Sequence, residues 1–448
     1  MPDLLALSAM GRQYHFHEVG CQMGNDGLSN YPSNEPVRLS LENQPSREGR
    51  YSDIGDLHRE NDGICGIEIL DDFERFNQAN DIYTRGQWDS RIRSEKVLNW
   101  FKGMFTPGIG VKKSEGYSAR DFALKNAGWM ATNLIIQRSR HADRTDGFLD
   151  YIEEFCPPNP EKMEIESVEQ MTAELKHACL MFGASDVGIT ANDPRWHYTK
   201  NFSAKSLTEK EYGIPEDLSN VVVVLTEMDY DVIRTYPSAT AGVAVGSGYS
   251  HDCAMTLAIA TFIQNMGYRA VATVNDTSQG IPYAIQAGLG EYGRSGMLIH
   301  PKFGPRTRIG RIHTDLPLNH DKPMRFGVRE FCEICRRCSD GCPPKAIPAS
   351  PPQDEIINQS NIIGIRKWTV DAEKCFQFWV NQGTECGVCI RDCPYNKDSD
   401  SLLTRHYYKM WTNLASSPFK KLALWMDIKL GFGGRLRPNE YWKTKLRE

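Results

Sequence analysis

A chain of 448 residues that is 40% hydrophobic and 24% charged has the make-up of a globular protein of about three domains, which excludes a disordered or fibrous chain. Its net charge of −5 offers no basic footprint for phosphate backbones, so no nucleic-acid partner is expected. No apolar run approaches the ~20 residues that cross a bilayer, and the start carries neither a twin-arginine motif nor an apolar core, so an export signal is taken as removed or never present.

Residues 1–165 read as a wrapping segment, polar and turn-rich at Ser29 to Pro36 and Gln44 to Tyr51, with little core of its own. From Ser167 the pattern changes. Ser167-x-x-Gln170 makes a capping box, and Val168, Met171, Leu175, Cys179 and Phe182 recur at the spacing of a helix that ends at Gly183. Val187 to Thr190 predicts a short strand, 192–219 an insertion rich in charge and turns, and Val221 to Leu225 a β-branched strand. Cys253 to Met266 predicts a helix closed by Gly267, Ala270 to Val274 a strand, and Ile281 to Ala287 a helix. Met297 to Ile299 and Arg308 to His313 predict two more strands. This alternation indicates an α/β layer over 166–320.

Within it, Gly288-Leu-Gly290-Glu-Tyr-Gly293 matches GxGxxG literally. A dinucleotide turn needs a strand before and a helix after, and here the order is reversed, so the glycines read as tight turns or a close approach of backbone to a flat cofactor.

Eight of the thirteen cysteines fall in 321–397, as Cys332-x2-Cys335-x2-Cys338-x3-Cys342-Pro and Cys375-x10-Cys386-x2-Cys389-x3-Cys393-Pro. Short spacers let consecutive thiolates face one cubane, while the cysteine before proline leaves to ligate the other. By that rule one [4Fe–4S] cluster takes Cys332, Cys335, Cys338 and Cys393, and a second takes Cys375, Cys386, Cys389 and Cys342. Zinc needs four ligands, not eight, and a chain this long has no need of disulfide staples. Cys21, Cys65, Cys156, Cys179 and Cys253 share no metal spacing and read as small buried hydrophobes. Residues 398–448 form a tail that is expected to pack back on the core, with an amphipathic signal at Leu422 to Leu430. Two clusters behind more than three hundred residues favour an enzyme whose clusters feed another redox centre.

At Gly246-Ser-Gly-Tyr249-Ser, Val274-Asn275-Asp, Ala287-Gly-Leu-Gly-Glu-Tyr-Gly-Arg-Ser-Gly296, Phe303-Gly-Pro-Arg-Thr-Arg308 and Asp321-Lys-Pro…Phe326-Gly-Val…Glu330-Phe-Cys332, the chain resembles the corrinoid iron–sulfur reductive dehalogenases of organohalide-respiring bacteria. The wide first spacer of the second cysteine run adds to the likeness. It runs from about Val168 to the end of the cluster domain and touches the N-terminal third chiefly at Ala127-Gly128-Trp129.

The resemblance implies an α/β (α+β) fold: a central nitroreductase-like, corrinoid-binding sheet domain, then a bacterial ferredoxin-like domain with two clusters. It implies a cobamide with no protein ligand beneath cobalt, so no DxHxxG motif is expected; Asp56-Leu-His58-Arg-Glu-Asn61 lacks the glycine and reads as a solvated loop. By the same likeness Tyr249, Asn275 and Arg308 lie above the corrin ring, with Trp129, Val245, Ile309 and Trp379 in the substrate wall and Ser250, Gly290 and Ser295 at the cofactor. The implied reaction replaces halogen by hydrogen on a small chlorinated aliphatic compound, using a Co(I) corrinoid fed by the clusters, with Tyr249 as proton donor. The implied setting is the outer face of the cytoplasmic membrane after loss of an export signal, with a small membrane-anchor subunit, a quinol-linked donor and homodimerisation.

Residue chemistry supports the site separately. A tyrosine, with an ordinary pKa near ~10, holds its proton at neutral pH, and a neighbouring guanidinium would stabilise the phenolate left after transfer. Taken singly, Tyr249 reads as a strand or loop tyrosine, Arg308 as a surface ion-pair residue, Asn275 as a turn residue and the tryptophans as packing. Glu385 reads as facing solvent. Two rival readings are an epoxyqueuosine reductase-like enzyme acting on transfer RNA, which would need a basic RNA-facing surface, and a ferredoxin-like electron carrier.

Overall fold

The computed structural model describes residues 66–135, 159–203, 206–211, 213–275, 277–398 and 402–445. The Asp56 to Asn61 string and Cys21, Cys65 and Cys156 lie outside the described residues.

Four strands build the central sheet: β1 (Asp186–Ala191), β2 (Asn220–Glu227), β3 (Ala270–Thr273) and β4 (Thr307–Thr314). Their order is β1-β2-β4-β3, with every neighbour antiparallel. The strand and helix alternation therefore yields a layer of α+β type and not a doubly wound parallel sheet. Val221 to Leu225 is fully buried because the strand has a core on each face. Val222 and Val224 join Leu175, Cys179, Cys253 and Ile259 on one side, and Val221, Val223 and Leu225 join Tyr283, Phe331 and Trp368 on the other. A continuous β-branched run is the sequence form of such a two-sided strand.

Three helices shape the first face and the site: α1 (Ala119–Gly128), α2 (Val168–Met181) and α3 (Ala239–Asn265). At α2 the Ser167 hydroxyl caps the Gln170 amide at 3.2 Å, but Gln170 donates its side chain to Glu174, so half of the expected capping box forms. Helix α3 begins fourteen residues earlier than Cys253. Its first half, rich in glycine, looks like a breaker by propensity, yet each of three glycines marks a close contact. A Cβ at Gly242 would meet Glu385 Oε2 at 2.9 Å, one at Gly246 the Trp129 ring at 2.5 Å, and one at Gly248 the Arg308 stem at 2.7 Å. Tertiary packing overrides propensity here, and it puts Tyr249 inside a helix, not in a strand or loop.

The glycine-rich 288–293 segment enters a small hairpin, Glu291–Tyr292 against Leu298–Ile299, and follows the helix Gly280–Gln286, an arrangement unlike a dinucleotide turn. The described part of the N-terminal segment lies over the cysteine segment. Strand Glu68–Ile69 pairs with Ile365–Arg366, and Val97 and Trp100 pack on Phe376 and Val380 of α4 (Ala372–Gln382). The tail forms α5 (Leu402–Ala415) and α6 (Lys420–Lys429). It packs back along one face only, with Trp411, Ala415 and Ala423 fully buried, while Leu403, Met410, Phe419, Leu422, Trp425 and Ile428 are exposed.

Candidate active site and cluster ligands

Tyr249 is gripped from three sides. The Trp129 ring, at the C-terminus of α1, stacks on it at 5.2 Å and 27°. The Arg308 guanidinium, from the second residue of β4, lies 5.1 Å from the ring centre. Asn275, two residues after β3, donates its Nδ2 hydrogen to the Tyr249 oxygen, and the Asn275 carbonyl accepts from the Tyr198 hydroxyl at 3.1 Å. Because the phenol oxygen accepts from Asn275, its own hydrogen is left for another acceptor. A phenolate formed there would keep the amide donor and the fixed positive charge.

Behind this group, Thr226 of β2 lies opposite Arg308 of β4 in the ladder. Thr226 donates to Asp252 Oδ1 at 2.5 Å, one turn of α3 beyond Tyr249. Asp252 is fully buried with Oδ2 unpartnered, and burial pushes its carboxyl up to about 7 against the pull of Thr226, Arg308 and Arg311.

These residues open onto a cavity of about 1090 Å³, above the ~300–1,000 Å³ of ordinary small-molecule pockets. Trp129, Val245, Ile309, Trp379 and Ser295 line it, along with Tyr249, Asn275 and Arg308. Ser250 and Gly290 are not among its lining residues. The Ser250 hydroxyl bonds the Gly128 carbonyl at 2.6 Å and accepts from the Thr132 amide at 3.2 Å, and a Cβ at Gly290 would meet the Ile299 carbonyl at 2.2 Å. Both tie backbone together. The wall also has members that sequence reasoning missed. Tyr83 and Trp100 form an aromatic box with Trp379, the rings 5.9–6.4 Å apart. The amphipathic helix Glu95–Lys102 was the available signal for Trp100; Tyr83 had none.

Glu385 corrects an expectation. It is 3% exposed, lines the cavity, and pairs with buried Lys125 at 3.3 Å. Thr384 donates to the same oxygen at 2.8 Å, leaving Oε1 unpartnered. Burial, with the Glu385 charge next, holds the Tyr236 phenol well above its usual range. Five polar atoms of residues lining this cavity, Trp129 Nε1, Trp100 Nε1, Thr277 Oγ1, the Tyr236 hydroxyl and Glu385 Oε1, are buried without hydrogen-bond partners. Packed interiors satisfy such groups, so the cavity fits a large occupant with polar groups at its rim, as the amide-fringed corrin of a cobamide is.

The cysteines gather in two groups across their two runs. As thiolates, Cys332, Cys335, Cys338 and Cys393 repel one another, and so do Cys375, Cys386, Cys389 and Cys342. Burial pushes the Cys335 thiol up to about 11 and those of Cys375 and Cys393 up to about 12. Thiols that resist ionisation together become thiolates when iron supplies the charge. The Ala346 backbone N–H points at Cys342 Sγ over 3.3 Å. Among the described residues, the cavity wall includes Cys342, Cys375, Cys386 and Cys389 and no member of the other group. Cys179 and Cys253 are fully buried, as small hydrophobes are.

Residues 331–397 match the 4Fe-4S dicluster domain family. Over 327 residues the chain is 37% identical to a tetrachloroethene reductive dehalogenase of Desulfitobacterium hafniense, covering 62% of this chain and 57% of that protein. Over 302 residues it is 32% identical to the tetrachloroethene reductive dehalogenase of Sulfurospirillum multivorans, covering 62% and 60%. The match thus spans somewhat over half the length of these relatives. A solved catabolic reductive dehalogenase superposes with a TM-score of 0.62 at 22% identity, over 83% of this chain and 48% of that one, and so shares the fold. In sequence over these stretches, and in fold, the chain is similar to reductive dehalogenases.

Proposed function

We propose that this chain is a corrinoid-dependent reductive dehalogenase that replaces a halogen by hydrogen on a small chlorinated aliphatic compound. The observation that carries this reading is a single cavity walled by Tyr249, Asn275 and Arg308 and by all four cysteines of the second group. In this reading Cys332, Cys335, Cys338 and Cys393 hold an outer cluster, and Cys375, Cys386, Cys389 and Cys342 hold an inner one beside the cavity. A bound cobamide supplies the reducing metal that breaks the carbon–halogen bond. Replacing halogen by hydrogen consumes two electrons and one proton and releases halide. Clusters held by the two groups of cysteines would supply the electrons. Tyr249 delivers the proton to carbon, and Asn275 and Arg308 hold the phenolate until solvent restores it. Tyr83, Trp100 and Trp379 keep water out and offer apolar area to a substrate with few hydrogen-bonding groups.

The same reading makes the chain a peripheral protein of the cytoplasmic membrane. Among the described residues no helix is long and apolar enough to cross one. What supports attachment is the α5–α6 hairpin, whose exposed stripe of Phe419, Leu422, Trp425 and Ile428 suits the headgroup boundary of an anionic bilayer. Between Leu402 and Arg437 there are four Lys and three Arg, and Asp427 is the one acid; it is fully buried.

The test is cofactor extraction and spectroscopy on protein purified with its clusters, then a halide-release screen across chlorinated methanes, ethanes and ethenes. Cobamide and iron should co-purify, and Tyr249→Phe should lower turnover by ~10²–10⁴-fold, the usual worth of a general acid. Fully metallated protein without cobamide, or unchanged turnover in Tyr249→Phe, would overturn the reading.

A further inference from the structure

We propose that Arg294 is the built-in counter-ion of the cluster held by Cys332, Cys335, Cys338 and Cys393, and that its charge keeps that cluster's reduction potential above that of the cluster beside the cavity. This rests on the two-cluster reading of the cysteines and not on the dehalogenation reaction.

Arg294 belongs to the glycine-rich segment that a nucleotide turn does not explain. It lies between strands Glu291–Tyr292 and Leu298–Ile299, with 2% of its surface exposed. Nε donates to the carbonyls of Cys332 at 3.0 Å and Cys335 at 3.2 Å. Nη2 donates to Cys332 at 2.7 Å and Glu333 at 3.5 Å, and Nη1 to Pro348 at 2.9 Å and Ser350 at 2.8 Å. The guanidinium also lies 4.9 Å from the Trp368 ring centre. Every one of these oxygens belongs to a neutral carbonyl, and no carboxylate among the described residues pairs with it. Two other buried arginines of this chain do have one: Arg306 pairs with Glu227 at 2.7 Å, and Arg85 with Asp89 at 2.9 Å.

A guanidinium sealed from water without an anion is strongly disfavoured. The anion the fold leaves beside Arg294 is the four-thiolate cluster. The Arg294 backbone amide favours the thiolate of Cys332, and its side-chain charge favours those of Cys335 and Cys338. The rest of that surrounding is positive as well, since Arg337 and Lys397 share the single carboxylate of Asp427. Three cations thus face one carboxylate. Around the second group the charges cancel, with Glu385 on Lys125, Asp371 on Lys374 and Asp392 on Arg391. Reduction adds a negative charge to a cluster, so the positive surrounding favours the reduced form of the first cluster and raises its potential relative to the second.

The experiment is an EPR-monitored redox titration of the full chain carrying its clusters, comparing Arg294→Gln and Arg294→Lys with the parent. Signals are assigned with Cys338→Ser and Cys389→Ser. In Arg294→Gln the reduced-to-oxidised ratio of the first cluster at a fixed potential should fall at least tenfold, ~59 mV for one electron. The second cluster should not move, and Arg294→Lys should stay close to the parent. If Arg294→Gln retains only half the iron while Arg294→Lys retains it all, the counter-ion acts at assembly and the proposal stands. Full iron with both midpoints unmoved, or both moved equally, overturns it. So does equal iron loss in Arg294→Lys and Arg294→Gln, which would make Arg294 a geometric peg. A parent chain that cannot bind two clusters would sink the cysteine reading instead.

Discussion

Replacing Gly246 by alanine sets two effects of opposite sign against each other. Gly246 lies inside α3, where alanine is favoured over glycine by ~0.5–1 kcal/mol. The added Cβ, however, would lie 2.5 Å from Trp129 Cδ1 and 2.8 Å from its Cγ and Nε1. The indole is rigid, buried and stacked on Tyr249, so relieving the clash means moving both rings, and overpacking of this kind costs ~1–3 kcal/mol. The clash wins by about 1 kcal/mol, roughly 2–4 °C in melting temperature for a domain of this size. Activity should suffer more than stability. Trp129 stacks on Tyr249, so a displaced indole shifts the phenol relative to Asn275 and Arg308, and ~1 Å of misplacement can cost ~10²-fold in rate. The assay pairs a thermal melt of the cluster-loaded chain with halide release. Ser247→Ala, at an exposed position on the same helix, serves as control and should leave turnover unchanged. A Gly246→Ala chain that melts no lower than its parent and turns over equally fast would refute the close-packing account of the glycines in α3.

Asp252 should make stability depend on pH. Its carboxyl is raised from 3.8 to about 7, so its contribution is complete below pH ~4 and is lost as pH rises to about 7, by at most on the order of 4 kcal/mol. Asp252→Asn should therefore gain on the parent across that window and hold the gain above it in urea unfolding; a difference flat with pH would mean the carboxyl ionises normally. For the tail, the cluster-loaded chain should float with vesicles containing phosphatidylglycerol but not with pure phosphatidylcholine. A Trp425→Ser/Ile428→Ser chain should stay in solution, and flotation untouched by that pair would remove the α5–α6 stripe from membrane binding.

What could be read beforehand was whatever has a local signature. The two-sided strand at Val221 to Leu225 and the helix capped by Ser167 announce themselves through burial pattern and capping chemistry. The cysteine runs do so through ligand spacing. The first half of α3 did not, because its glycines obey contacts with Trp129, Glu385 and Arg308 that lie more than a hundred residues away in two cases. Glu385 was misread for a related reason. A carboxylate beside a cluster cysteine looks solvent-bound until its partner Lys125, from a different element, is known. Tyr249, Asn275 and Arg308 were identified by likeness, but their mutual geometry depends on the register that sets Thr226 opposite Arg308, and no single segment encodes a register.

The cavity draws its two sides from separate stretches of chain, and this divides the chemistry. The side that holds Tyr249, Asn275 and Arg308 is built from α3, β4 and the residues after β3, whose positions are locked by the buried sheet and by Cβ-free contacts. The opposite side comes from Tyr83, Trp100 and Phe101 of the N-terminal segment and Trp379 of α4, whose rings pack on one another. A change of ring size at Tyr83 or Trp100 alters the room above the site without touching the ladder that holds Arg308. In the proposed reading, substrate preference can therefore shift while Tyr249 stays fixed, because the rings that set the room above it come from other elements than those that hold Tyr249, Asn275 and Arg308.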